Sequence, residues 1–227
     1  MATELTWLGH GCWAIQSGKW RIVLDPFLDE SPVAPIKSGQ VEADFILVSH
    51  GHFDHVADLE KIARRTGATI VSTYEICEWY GKKGLAKTHG MNIGGGHAFP
   101  FGRVKMTIAH HTSMLPDGSY GGAAAGFLLT LPEGNAYFAC DTGLFYDMKL
   151  IGAAGLKLAA LPIGDNFTMG PDDAVEAVKL LSPKRVVPVH RNTWPLIAQD
   201  VEAWAHRVRE ETSAEPVVLE PGGKIGL

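Results

Sequence analysis

The stretch FILVSHGHFDH, residues 45–55, decides how the rest of the chain is interpreted. Three histidines and one aspartate, His50, His52, His55 and Asp54, follow an apolar run that is typical of a buried strand. Neutral imidazoles and carboxylates are the usual protein ligands of zinc and similar divalent metals. Imidazoles this close together repel one another when protonated, so a metal-free structural role leaves the cluster without a stabilising cause. The stretch therefore predicts a metal site at the end of a buried strand.

The same layout, an apolar β-prone run followed by a potential ligand, recurs three times further along the chain. Residues 104–109 precede the pair His110 and His111, residues 135–140 precede Asp141, and residues 185–189 precede His190. Spacing alone does not separate His110 from His111. A site assembled from several strand ends along one sheet edge requires this kind of repetition.

The HxHxDH signature and these downstream residues resemble the metallo-β-lactamase superfamily. The resemblance implies an α/β fold, a four-layer αβ/βα sandwich, with a mononuclear or dinuclear metal site at one edge. Residues 161–171, Asp25-Pro26-Phe27 and Asp141-Thr142 resemble a subgroup of bacterial and archaeal metal-dependent hydrolases related to ascorbate-6-phosphate lactonase. The similarity covers essentially the whole chain, so we expect residues 1–227 to form a single domain.

The resemblance also implies a ligand set for two divalent metal ions and favours His111 over His110. The implied ligands are His50, His52 and His111 for one metal, Asp54, His55 and His190 for the other, and Asp141 as a bridge between them. Zinc is the first expectation for the metal, and manganese, iron, nickel or cobalt would also fit nitrogen and oxygen ligands.

Further residues are candidates for supporting the ligands or contacting substrate. They are His10, Asp25, Asp165, Asn166, Arg191 and Asn192. Asp25 is expected to orient a ligating histidine, and the alternative is a simple turn-initiating Asp-Pro pair. Arg191 and Asn192 follow His190 directly and could contact an anionic or carbonyl oxygen.

Two metal charges acidify a shared water, so hydroxide becomes available at neutral pH as the nucleophile. The catalytic residues expected are Asp54 and Asp141, and the proton for the leaving group would come from Asp54 or from metal-bound water. The first functional expectation is hydrolysis of a lactone, ester or amide in a small molecule. The alternative is a phosphodiesterase that acts on a small phosphodiester or nucleotide. A third class is a binding module without chemistry, or an iron redox protein.

Composition argues against nucleic acid as a partner. The 227 residues are 46% hydrophobic and carry a net charge of −5, without Lys or Arg runs, so nucleic acid is not an expected partner. No signal peptide or membrane span is predicted, and the three cysteines are odd in number, which favours reduced thiols in the cytoplasm. The resemblance leaves a homo-oligomer open.

The local pattern predicts further elements outside the ligand loops. Helices are expected over residues 56–65 and 197–209, and a closing strand over residues 216–219. The glycine-rich residues 91–97 read as a tight turn, with His97 unassigned. Residues 28–42 and 112–125 are expected to border the substrate pocket, the second as a lid.

Overall fold

The computed structural model describes residues 3–227, in which two seven-stranded sheets lie between two layers of helices. The strands are β1 (Glu4–Trp7), β2 (Trp13–Ser17), β3 (Trp20–Leu24), β4 (Phe45–Leu47), β5 (Thr69–Thr73), β6 (Thr88–Met91), β7 (Gly96–Phe99), β8 (Gly102–Ile108), β9 (Ala125–Leu131), β10 (Gly134–Phe138), β11 (Leu156–Pro162), β12 (Arg185–Val189), β13 (Glu215–Pro216) and β14 (Lys224–Gly226). The helices are α1 (Phe53–Val56), α2 (Leu59–Thr66), α3 (Tyr74–Lys82), α4 (Met148–Gly152), α5 (Pro171–Leu181) and α6 (Val201–Glu211).

The first sheet has the order β14-β1-β2-β3-β4-β5-β6, and the second has the order β13-β12-β11-β10-β9-β8-β7. In the first sheet, β1, β2 and β3 pair in antiparallel fashion, and β3 to β6 are parallel. In the second sheet, β7 to β10 are antiparallel, and β10 to β13 are parallel. The parallel strands of each sheet thus send their carboxyl ends to one edge.

Apolar side chains hold the four layers together. Between the sheets, Trp13 of β2 meets Phe138 of β10 edge to face, with ring centroids 5.6 Å apart. On the outer face of the first sheet, Ile62 of α2 and Ile76 of α3 belong to one buried cluster with strand residues. Trp204 of α6 belongs to the equivalent cluster on the second sheet. The fold is therefore the four-layer αβ/βα sandwich that the resemblance implied.

Some predicted elements differ from the observed ones. Residues 91–97 are not only a turn, because they include the last residue of β6 and the first two residues of β7. These two strands lie at the edges of different sheets. The predicted closing strand over 216–219 is wrong. Only Glu215–Pro216 pairs there, and the chain continues to β14 at the other sheet. Helix α6 begins at Val201, since Asp200 caps it by accepting a 2.9 Å hydrogen bond from the Ala203 amide.

Across residues 3–227, the helices are too short or too polar for a bilayer crossing.

Candidate metal centre

The HxHxDH loop places its four side chains by ending one element and beginning another. Strand β4 ends at Leu47, and helix α1 begins at Phe53, so His50 and His52 lie in the connecting loop. His52 takes the extended conformation that precedes a helix, and His55 lies on the short helix itself. The chain therefore reverses around the site, and His50 and His55 become fully buried beside each other.

The second sheet supplies three further side chains at the facing edge. His111 follows β8, Asp141 follows β10 and His190 follows β12. His190 adopts a positive φ of 49°. Histidine is among the few non-glycine residues that take this conformation readily, and the reversal turns the ring out of the strand direction. The candidate ligands thus come from both sheets.

The imidazole nitrogens lie at the separations that a metal ion requires. The Nε2 atom of His50 is 3.1 Å from Nδ1 of His52, and Nε2 of His111 is 3.3 Å from that same Nδ1. A tetrahedral site with metal–nitrogen distances of about 2.0–2.1 Å places neighbouring ligand nitrogens about 3.3 Å apart. These three side chains therefore form one potential metal site.

Asp141 lies between this group and a second one. Its Oδ2 atom is 3.7 Å from Nε2 of His111 and 3.9 Å from Nε2 of His50. The same oxygen is 3.4 Å from Nε2 of His55 and 3.0 Å from Nε2 of His190. One buried carboxylate thus faces the histidines of both groups.

The second group contains Asp54, His55 and His190. The Oδ2 atom of Asp54 is 3.9 Å from Nε2 of His55 and 3.8 Å from Nε2 of His190. Both histidine nitrogens are buried and have no hydrogen-bond partner among the described residues. An unpaired buried polar atom is costly, and metal coordination would remove that cost. The donor set therefore fits divalent metal ions.

Asp25 fixes the orientation of the ligand loop from beneath. Its carboxylate is fully buried and accepts hydrogen bonds from the Ser49 amide, 2.8 Å, and the Ser49 hydroxyl, 2.6 Å. It also lies 2.9 Å from Nδ1 of His55. A proton on that Nδ1 leaves the Nε2 lone pair of His55 free for a metal. The Ser49 hydroxyl, 2.9 Å from Nδ1 of His50, orients that ring in the same way.

His10 supports the centre from the turn between β1 and β2. Its Nε2 lies 3.0 Å from Oδ2 of Asp54, and its Nδ1 lies 2.8 Å from the Thr193 hydroxyl. Burial and the neighbouring His190 lower the pKa of His10 to about 4, so it is neutral at pH 7. A neutral ring with a proton on Nε2 donates to Asp54, which fixes one of the two Asp54 oxygens.

Several residues at the centre have left-handed backbone conformations. They are His10 (φ 52°), Asp25 (φ 47°), Cys140 (φ 53°) and His190 (φ 49°). Aspartate and histidine tolerate this region better than most residues, whereas cysteine gains nothing from it. Strain of this kind persists only where the surrounding structure holds it, and it clusters at functional sites.

Other residues expected near the centre lie elsewhere. His110 is exposed and stacks on Phe145, at a centroid distance of 5.1 Å, while its neighbour His111 faces the site. Asp165 and Asn166 form an exposed turn, and neither lines the cavity described below. Asn192 is exposed and accepts a hydrogen bond from the Gln199 amide.

The geometry also does not support the expected substrate contact by Arg191. Its guanidinium is turned into the protein, where it donates to the carbonyl oxygens of Pro188 (3.2 Å) and Leu219 (3.0 Å). The His190 ring faces Asp141, whereas the Arg191 guanidinium faces those carbonyl oxygens, so the two neighbouring side chains point in different directions.

A cavity of about 590 Å³ opens above the candidate ligands. Its floor includes His52, Asp54, His111, Asp141 and His190. The predicted lid contributes Met114, Leu115 and Pro116 to the sides, whereas none of residues 28–42 contributes. The sequence predicted neither the remaining apolar lining, Phe53, Phe167, Trp194 and Leu196, nor the role of Ser49, which contacts Asp25 and His50 outside the cavity lining. The only available signal was their position within six residues of a candidate ligand or of Asp165.

Metal binding is expected to release protons at neutral pH. In the metal-free protein, burial opposes protonation of His190, but the Asp141 carboxylate raises its pKa from 6.5 to about 9. The pKa of His55 is also raised, because Asp141, Asp54 and Asp25 outweigh burial. A metal needs neutral imidazole nitrogens, so these protons must leave. Because pH 7 lies below a pKa of about 9, metal affinity should rise with pH up to about pH 9.

Zinc is titrated into protein from which a chelator has removed the metal. Calorimetry in two buffers of different protonation enthalpy then measures the number of protons released. The expected number at pH 7 is one or more per chain, falling as the pH approaches 9. Zinc binding without proton release at pH 7 would contradict the proton positions described above.

Gly164, just after β11, lies against the backbone of His190. A Cβ atom at this position would overlap the carbonyl oxygen of His190. We therefore expect Gly164→Ala to lower the free energy of unfolding by about 2 kcal/mol and to weaken metal binding. Thermal unfolding with and without metal measures both effects. Gly81→Ala in α3 is the matched control, since its Cβ would meet nothing within 4 Å, and it should be neutral or stabilising by up to about 1 kcal/mol.

The sandwich and the edge where these ligands meet define a protein of the metallo-β-lactamase superfamily. A family model described as Beta-lactamase superfamily domain matches residues 20–191. The solved structure of Igni18, a metallo hydrolase from the archaeon Ignicoccus hospitalis, has a TM-score of 0.91 at 32% identity. That match covers 100% of this chain and 99% of the Igni18 chain.

Relatives of known family show to which family within the superfamily the chain belongs. A UPF0173 metal-dependent hydrolase from Thermus thermophilus is 49% identical over 224 residues, which cover 99% of each chain. Another from Heliobacterium modesticaldum is 47% identical and covers 99% of this chain and 97% of its own. The chain belongs to the UPF0173 family of metal-dependent hydrolases.

Proposed function

We propose that the protein hydrolyses a lactone, ester or amide in a small molecule at a two-metal centre. His50, His52 and His111 would hold one ion. Asp54, His55 and His190 would hold the other, and Asp141 would be shared. The observation that carries this proposal is the position of one carboxylate oxygen, Oδ2 of Asp141, within 3.9 Å of four imidazole nitrogens.

Divalent ions bound here supply the charge that acidifies water and polarises a carbonyl oxygen. In the reaction, the water oxygen bonds to the carbonyl carbon, the carbon–oxygen or carbon–nitrogen bond breaks, and a proton passes to the leaving atom. Asp54 would relay that proton, because its carboxylate lines the cavity and the hydrogen bond from His10 to its Oδ2, at 3.0 Å, orients it. Burial raises the pKa of this carboxyl, but the nearby His55 and the same hydrogen bond lower it by more, so the proton is passed on rather than stored.

A carbonyl substrate suits the cavity better than a phosphodiester does. Enzymes that transfer phosphoryl groups place Arg or Lys side chains against the phosphate oxygens. Within residues 3–227, neither residue type lines the cavity. A phosphodiester bound in this cavity would therefore have no cationic side chain beside the phosphate oxygens that do not bind metal.

We propose zinc as the resident metal, since five imidazoles and two carboxylates suit it. We also propose that the protein works in the cytoplasm as a single domain over residues 1–227. Its three cysteines, Cys12, Cys77 and Cys140, are all buried free thiols, which is consistent with a reducing compartment.

Metal content and turnover should be measured on the same preparations. The full chain is assayed as isolated, after chelation, and after reloading with zinc, manganese, iron, nickel or cobalt, against lactones, esters, amides and phosphodiesters. We expect about two ions per chain and turnover of one carbonyl class that is lost on chelation and restored by metal. Turnover of phosphodiesters alone would replace the proposed substrate class. A fully loaded protein that is inactive on every class would overturn the proposed function.

A further inference from the structure

The cavity above the candidate ligands has sides of large apolar side chains. We call these six residues the apolar wall: Phe53, Met114, Pro116, Phe167, Trp194 and Leu196. Four of them, Phe53, Met114, Phe167 and Leu196, are between 52% and 62% exposed. Isolated exposed apolar side chains are ordinary on proteins, but a group around a concave site marks a binding surface. The apolar wall is therefore available to an apolar group of a bound molecule.

Polar contacts beyond the ligands are scarce in this cavity. Thr112 is the one polar side chain of the described lining that is not a candidate metal ligand, and its hydroxyl lies 3.5 Å from Nε2 of His52. The nearest arginine in sequence to the last ligand, Arg191, is buried with its guanidinium over the Trp7 ring. A charged group on the substrate would thus lose water without gaining a partner.

The side of the apolar wall next to Asp54 and His190 is preorganised by contacts among the protein's own aromatic rings. Trp194 packs against the buried Phe27, with centroids 5.8 Å apart, and against His10 at 5.0 Å. Phe53 meets the same Phe27 edge to face at 5.8 Å. Because these rings support one another, little side-chain freedom remains to be lost on binding.

The opposite side of the wall is anchored to the ligand loop. The Ser113 hydroxyl accepts a 3.0 Å hydrogen bond from the Gly51 amide and donates to the Gly121 carbonyl at 2.9 Å. A Cβ atom at Gly51 would lie 2.8 Å from the Met114 carbonyl, so the two segments approach as closely as glycine allows. Met114 and Pro116 are therefore held at a fixed distance from His50 and His52.

We propose that the substrate is neutral and carries an aryl or medium-chain alkyl group, which lies on the apolar wall while its carbonyl meets the ions. This inference rests on the proposed function and names its substrate class more closely. The centre would accordingly discriminate against substrates that carry a carboxylate or phosphate on the group that lies on the apolar wall. Affinity for a neutral group there arises from removing apolar surface from water, so it should grow with the length of the alkyl chain.

Hydroxamates test the wall without requiring turnover, because the hydroxamate group binds divalent metals and carries a tail of chosen length. Acetohydroxamate, octanohydroxamate and an eight-carbon hydroxamate ending in a carboxylate are titrated against the zinc-loaded full chain. We expect octanohydroxamate to bind about tenfold more tightly than acetohydroxamate, since several methylenes leave water, and about tenfold more tightly than the carboxylate-ended compound, whose charge would lose water without gaining a partner.

Variants assign that preference to the wall. Phe53→Ala and Leu196→Ala each remove an exposed side chain, so folding should be retained, which thermal unfolding checks. Each should reduce the tail-length preference about threefold or more. Leu150→Ala is the matched control. Leu150 is a 72% exposed leucine on α4, lines a different groove, and should leave the preference unchanged.

The outcomes separate the two proposals. Tail-dependent hydroxamate binding with no turnover of any substrate would retain the apolar-flank specificity and reject hydrolysis. Equal binding of all three hydroxamates, or tighter binding of the carboxylate-ended one, would overturn the inference even if the enzyme is active. If light scattering shows that Phe53→Ala and Leu196→Ala dissociate an oligomer without changing tail preference, the wall is a contact between copies, and the inference also fails.

Discussion

Asp141→Asn should lower kcat/KM by about 10³-fold and reduce the metal content by at least one ion per chain. The substitution preserves the size of the side chain but removes the negative charge that faces four imidazoles within 3.9 Å. Burial raises the pKa of this carboxyl, but the surrounding histidines lower it by more. The pKa therefore lies well below 3.8, and the carboxyl is ionised across the neutral range. Metal analysis of the purified variant, together with the assay for the wild-type substrate, measures both effects.

Asp173→Asn is the matched control for Asp141→Asn. Asp173 is an exposed carboxylate in the first turn of α5, far in sequence from every candidate ligand. Its loss should leave metal content unchanged and activity within about twofold, since surface substitutions of this kind have small effects. Full metal occupancy in Asp141→Asn, with activity within tenfold of the wild type, would show that this carboxylate is not a metal ligand.

Asp25→Asn is expected to weaken metal binding by about 10- to 100-fold without touching a metal directly. Asparagine tolerates the left-handed backbone at this position and fits the same space. However, the three hydrogen bonds from Ser49 and His55 reach two carboxylate oxygens, and an amide offers only one acceptor. The amide nitrogen would oppose a proton on Nδ1 of His55, and that favours the tautomer that cannot bind metal through Nε2.

The same change should lower the free energy of unfolding by about 3 kcal/mol, because it leaves a buried hydrogen-bonded group unpaired. Competition with a chromophoric chelator gives the metal affinity, and thermal unfolding of the chelated protein gives the stability. Asp44→Asn provides the comparison. Asp44 pairs with Arg21 on the surface, and its loss should change stability by less than about 1 kcal/mol. If Asp25→Asn binds zinc as tightly as Asp44→Asn does, Asp25 does not orient the ligand.

The fold and most of the candidate ligands could be predicted because the relevant signals are local. A buried parallel strand is a continuous apolar run, and its end is the position where a ligand becomes accessible. The strands before His50, Asp141 and His190 all carry this signal. The direction of individual side chains was less accessible. Whether His110 or His111 faces the site depends on the end of β8 at Ile108, after which strand alternation no longer applies.

Partners distant in sequence account for the other differences. Strand β14 pairs with β1 at the opposite end of the chain, and nothing within residues 224–226 announces that partner. Strands β6 and β7 are four residues long and each includes a glycine and a histidine, so neither carries a continuous apolar run, and their pairing depends on their neighbours. The apolar wall likewise combines segments that follow β4, β8, β11 and β12, and these come together only in the folded chain.

The division of the candidate ligands between the two sheets affects how long the protein would survive in the cell. Ions held by both halves would link the two sheets, and at a thousandfold excess over Kd one ion would stabilise the folded form by about 4 kcal/mol. Without metal, the chain would keep several buried carboxylates and imidazoles with nothing to link them across the two sheets. It would therefore unfold more often and be cleaved by proteases more often. A cell short of metal would therefore lose this protein by degradation, and returning the metal later would not restore the lost activity until new chains were made.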